Sequence, residues 1–170
     1  MTHNAAEFNT QVDDVFGRIA RKYDRMCDLF SLYIHRLWKR RMVALVRQTP
    51  WLRLLDVAAG TGDISLRVIK AGLTAQQTVV VSDICPAMLS IAQQRAQVAG
   101  VPAEQVQFQV LDAHHAPSVP DNSVDCYTMS LGLKICDRQR AIAEALRVLQ
   151  PGGRLLTLEA SNISWGWLQR

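Results

Sequence analysis

"LDVAAGTGDI", Leu55 to Ile64, decides how the chain is read. An apolar run ends abruptly in Gly60 and Gly62, with Thr61 between them and Asp63 just after. Glycine has no side chain, so a tight turn here lets a ligand approach backbone N–H groups closely. The segment before it, 53–58 (RLLDVA), reads as a buried strand. The segment after it, 63–72 (DISLRVIKAG), reads as a helix with Ile64, Val68 and Ala71 on one face and Gly72 as its stop.

The alternation continues downstream. Residues 78–83 (TVVVSD), 106–112 (VQFQVLD) and 124–131 (VDCYTMSL) read as strands. Residues 86–100 read as a helix opened by Pro86 and closed by Gly100, with Leu89, Ala92, Ala96 and Ala99 on one face. Residues 137–150 read as a helix whose buried stripe is Ile142, Ala145, Leu146 and Leu149, after which "PGG" turns the chain into a strand at 154–160. Alternating elements of this length predict an α/β fold, a parallel sheet with helices on both faces. Upstream, 12–47 is helical and basic, and Pro50 ends it. The chain therefore divides into a helical cover, 1–50, and a core, 51–170, within one structural domain.

In such a sheet, ligands bind beyond the carboxyl ends of the strands, where strand order reverses. Asp83 ends the second strand about 20 positions past the turn, the spacing of an acceptor for a ribose diol. A dinucleotide fingerprint needs a third glycine, and Ser65 stands in its place. Asp63 also puts negative charge where a pyrophosphate would sit. S-adenosylmethionine carries no phosphate, and its sulfonium and α-amino group suit Asp56 and Asp63. Asp63 equally suits a helix cap. The residues thus predict an adenosine-type cofactor, with S-adenosylmethionine favoured over NAD.

The bulk numbers agree with a soluble globular protein: 170 residues, 49% apolar, 20% charged, net charge +4. The basic residues form no concentrated stripe and no nucleic-acid module, so nucleic acid is not expected as a partner. The four cysteines, at 27, 85, 126 and 136, form no C-x-x-C pair and no histidine cluster stands at zinc spacing, which predicts reduced thiols in a cytoplasmic protein and no metal. The N-terminus has no signal-peptide pattern, and no apolar run reaches the ~20 residues of a membrane-spanning helix. "HRLWKRRM" (35–42) reads as a packed helix with a solvated basic face, with peripheral contact to an anionic membrane face as the alternative.

Several blocks, taken together, resemble the ubiquinone/menaquinone biosynthesis C-methyltransferases, a class I S-adenosylmethionine-dependent family with a Rossmann-like core. They are 15–42 (VFGRIARKYDRMCDLFSLYIHRLWKRRM), "LDVAAGTGDI", 82–89 (SDICPAML), 119–133 (VPDNSVDCYTMSLGL) and 145–161 (ALRVLQPGGRLLTLEAS). The resemblance implies that Thr61, the adjoining glycines and Ala58 hold the methionine part of the cofactor. It implies that Asp83, with Ile84 and Met88, takes the ribose side, and that Asp112 and Ala113 lie against the adenine. Ser130 would line the cofactor beside the substrate. Tyr23 and Met26 would belong to an N-terminal cover over a small hydrophobic aromatic substrate.

The chain departs from the family pattern where an arginine–asparagine pair is usual: it has Lys134 and Ile135. Cys27, Tyr33 and Ala160 also replace the usual asparagine, glycine and phenylalanine. Lys134 is the candidate cation beside a reacting phenol or quinol oxygen, and His114 or His115 the candidate proton acceptor. The family's last two strands are absent, which would leave the fifth strand as an exposed edge open to a second copy of the chain. Two functional expectations result. One is C-methylation of a phenol or quinol; the other is a shortened, catalytically defective cofactor-binding fragment or partner subunit.

Overall fold

A computed structural model of the chain describes residues 34–48 and 50–159. The expectations for Tyr23, Met26, Cys27, Tyr33 and Ala160 lie outside these residues, as does most of the helical cover. The elements run α1 (Ile34–Gln48), β1 (Arg53–Val57), α2 (Asp63–Lys70), β2 (Thr78–Asp83), α3 (Pro86–Val98), β3 (Val106–Val110), β4 (Val124–Ser130), α4 (Arg138–Val148) and β5 (Leu149–Leu158). All strand pairings are parallel, in the order β3-β2-β1-β4-β5. The chain winds outward from β1 in one direction and then returns to the other side, so strand order reverses between β1 and β4.

Alternation along the strands feeds two cores, as the two-residue period of a pleated strand requires. Leu54, Val79, Val81 and Cys126 face Met42, Val43 and Val46 of α1, Ile64 and Val68 of α2, and Leu89 and Ala92 of α3. Leu55, Val57, Val80, Tyr127 and Met129 face Ala145 and Val148 of α4. Leu54 is fully buried at the centre; truncating such a leucine to alanine costs about 2–5 kcal/mol.

Two expectations need correction. The buried stripe of α4 is Ala141, Ala145 and Val148, while Ile142 and Leu146 are 38% and 62% exposed. Small residues one turn apart let the helix lie close to the sheet, and that shape outweighs the larger apolar side chains. Strand β5 also begins at Leu149 rather than after "PGG". Leu149 pairs with Val124 and Arg154 with Cys126, so Gln150, Pro151, Gly152 and Gly153 bulge out opposite Asp125 instead of preceding the strand.

Candidate functional site

The carboxyl ends of β1, β2 and β4 open onto a cavity of about 360 Å³ at the reversal of strand order, within the size range of small-molecule sites. Its walls include Ala58 and Gly60 of the glycine turn, Asp83, Ile84 and Met88, then Asp112, Ala113 and Ser130. A smaller recess beside it shares Ala58, Gly60 and Ser130 and adds Lys39, Asp56, Thr61 and Asp63. The structure therefore gathers every residue expected to hold the cofactor except Gly62, which shapes the turn from behind.

The turn is held by its own ligand-facing acid. Asp83 Oδ2 accepts the Gly60 N–H at 2.7 Å, and Oδ1 accepts the Cys85 N–H at 2.9 Å. Gly62 has φ +76°, and a Cβ there would stand 3.0 Å from Ala92 Cβ, so only glycine lets α2 start this close to α3. Arg95 Nη1 donates to Thr61 Oγ1 at 2.8 Å and ties the middle of the turn to α3. Ala58 and Leu131, the residues just past β1 and β4, carry φ of +51° and +62°. Both adjacent central strands thus reverse in a left-handed conformation that costs a side-chain-bearing residue about 1–2 kcal/mol.

Three carboxylates serve distinct purposes here. Asp56 is buried and accepts Ser65 Oγ at 2.5 Å and Thr128 Oγ1 at 2.7 Å. Burial pushes its pKa up to about 6, against the opposing effect of those hydroxyls. Asp63 opens α2 without capping it by a side-chain bond; instead Oδ2 takes Lys39 Nζ at 2.8 Å and Oδ1 takes Arg67 Nε at 2.7 Å. Burial alone would raise this carboxyl, but the charges and hydrogen bonds of Lys39 and Arg67 outweigh it and hold the pKa below the ordinary range. Asp112 Oδ1 accepts both the His114 N–H and His114 Nδ1–H at 2.8 Å.

The proposed acid–base groups fall differently. His114 lines the cavity, and its Nε2 accepts the Asp137 N–H at 2.9 Å, so the ring bridges two loops and its lone pair is engaged. His115 is exposed and does not line the cavity, whereas His114, whose N–H is bonded to Asp112 Oδ1, does. Lys134 is exposed and does not line the cavity; Gly132, Ile135 and Cys136 of its loop do. Gly132 sits where an added Cβ would meet Ala58 Cβ at 2.7 Å. Burial, then the nearby carboxylates of Asp112, Glu159 and Asp83, push the Cys136 thiol pKa up, which disfavours the reactive thiolate.

Sequence reasoning missed Leu111, Cys85 and Gly132 in the wall, which carry no chemical signature, and Lys39 in the recess. A signal for Lys39 was present: His35, Lys39, Met42 and Val46 recur at helical spacing, and all are buried. Ser130 Oγ is buried without a hydrogen-bond partner, at the seam of the two cavities. A buried hydroxyl left in this state is costly.

Known proteins are similar to this chain over most of its length. The ubiE/COQ5 methyltransferase family matches over residues 4–170. The ubiquinone/menaquinone biosynthesis C-methyltransferase UbiE of Bartonella tribocorum is 42% identical over 165 residues, 95% of this chain and 62% of that protein. The UbiE of Methylobacterium nodulans is 44% identical, over 94% of this chain and 63% of its own. The chain thus spans somewhat over 60% of the length of these relatives. Among solved structures, the YcgJ protein of Bacillus subtilis superposes with a TM-score of 0.62 at 27% identity, covering 76% of this chain and 54% of that one. An S-adenosylmethionine-dependent methyltransferase from Methanococcus maripaludis, so described provisionally, shares the fold with a TM-score of 0.64 at 18% identity, over 92% and 66%. With a family match over nearly the whole chain and relatives more than 40% identical to it, the chain belongs to the ubiE/COQ5 methyltransferase family.

Proposed function

We propose that the chain binds S-adenosylmethionine and directs its methyl group to a carbon of a phenol- or quinol-type acceptor, as the names of its relatives indicate for them. One observation carries the reading: Asp83 and Ser130, whose buried hydroxyl has no hydrogen-bond partner among the described residues, line a cavity at the strand reversal, beside a recess lined by Asp56, Asp63 and Lys39. The donor set fits this cofactor. Carboxylates and one cation suit a zwitterionic amino-acid end, and an acid at the start of α2 disfavours a phosphate. Asp83 would take the ribose hydroxyls, Met88, Leu111 and Ala113 would flank the adenine, and Ser130 would hydrogen-bond toward the reacting end.

The cofactor supplies an activated methyl group, so this chain's residues mainly orient and desolvate. Ile135 and Gly132 would exclude water from the mouth. Calorimetry with S-adenosylmethionine, followed by labelled-methyl transfer to a panel of phenols and quinols, tests the reading. Absence of binding sinks it; binding without transfer leaves the cofactor-binding fragment.

Free Cys85, Cys126 and Cys136 support a reducing, cytoplasmic setting. No helix of the described residues is long and apolar enough to cross a membrane. Outward-facing Leu37 and Trp38, among exposed Arg40 and Arg41, support a peripheral contact with an anionic lipid face, where an apolar quinol would reside. Strand β5 is an edge among the described residues, which supports pairing with a second copy.

A further inference from the structure

Lys39 is a cation on the buried side of its helix. Its side chain is 9% exposed, yet its ammonium ends in the recess beside the glycine turn. Burying a lysine is expensive unless its charge is met. One partner is visible, Asp63, whose other oxygen is already held by Arg67. That bond uses one of three donors on the ammonium. Asp63 is thus compensated by Arg67 alone if Lys39 turns to a ligand. A clamp between α1 and α2 would need only the pair; it does not require the pair to line a cavity together with Gly60, Thr61 and Ser130.

We propose that Lys39 is the carboxylate-binding residue of the site: its ammonium pairs with the α-carboxylate of the cofactor's methionine end while Asp63 takes the α-amino group. An ion pair 2.8 Å long presents opposite charges side by side. An amino-acid zwitterion does the same, so the two match head to tail. This assignment makes Lys39 the determinant that separates an amino-acid-bearing adenosyl sulfonium from one that lacks the carboxylate.

The inference rests on the proposed cofactor. The test is a binding cycle by calorimetry without acceptor: wild type, K39M and K39R, each with S-adenosylmethionine and with its decarboxylated counterpart. The expected result is a loss of about ten-fold or more for K39M with S-adenosylmethionine, the scale of a hydrogen bond to a charged group. With the decarboxylated compound the change is under two-fold, and K39R recovers most of the affinity. Equal losses for both ligands make Lys39 a structural clamp and overturn the inference, and so does no loss for either. Wild type that binds neither ligand defeats the cofactor reading itself, and the inference with it. Circular dichroism of K39M checks that the fold is retained.

Discussion

Gly60 donates its backbone N–H to Asp83 Oδ2 at 2.7 Å, so the acid that ends β2 braces the turn that ends β1. The carboxylate proposed to take the ribose is thus also the one that shapes the turn. Replacing it with alanine strands the N–H groups of Gly60 and Cys85. D83A is expected to lose about 2–4 kcal/mol of stability, together with ten-fold or more in S-adenosylmethionine affinity. Thermal unfolding and calorimetry check the two separately. Unchanged affinity would mean that the ligand's sugar lies elsewhere.

Asp56 gives the fold a pH dependence of unusual sign for an acid. Its folded-state pKa of about 6 lies above the ordinary 3.8, so the native state holds its proton more tightly than the unfolded chain does. The stabilising contribution is complete below about pH 4 and is lost as pH rises through 6. A gap of about two units corresponds to ~3 kcal/mol. Urea unfolding from pH 4 to 7.5 should show this decline in the wild type and lack it in D56N, whose amide does not titrate.

Asp63 behaves in the opposite way. Its lowered pKa adds stability at neutral pH that disappears in acid, as pH falls through the folded-state value. R67M should shrink that acid-side loss, since Arg67 is one of its two cations.

Gly62→Ala forces a side chain into a left-handed backbone and toward Ala92. The expected cost is about 1–3 kcal/mol, read as a lower midpoint in urea. The same change at Gly60, where no atom lies within 4 Å of the added Cβ, carries the backbone strain without the clash and should cost less.

Ser130→Ala should move stability and binding in opposite directions. The hydroxyl has no partner in the free protein, so its removal is neutral or stabilising by about 1 kcal/mol. Affinity for S-adenosylmethionine should fall about three- to ten-fold. If both quantities stay unchanged, Ser130 does not meet the ligand.

The order of strands and helices was legible because buried parallel strands are short apolar runs and their ends carry glycine, proline and aspartate. Asp83 and the glycine turn were legible for the same reason: each stands at or just past a strand end, where the fold class places ligands. Residues on loops were not. Lys134 and His115 differ from Ile135 and His114 by one position, and only the turn bonded through Asp112 and the Gly132–Ile135 hydrogen bond decide which faces the cavity. The stripe of α4 was misread because size, not hydrophobicity, selected Ala141 and Ala145.

Ala58 and Leu131 sit in mirror-handed backbone at the tips of neighbouring strands. What a sequence can accept at those places is thus governed by chirality before any contact with a guest molecule is considered. Glycine fits without strain, and asparagine or aspartate with little, whereas a β-branched residue does not. Substitutions meant to reshape the cavity are therefore best placed in the stretch that follows Leu131, leaving both reversals as they are.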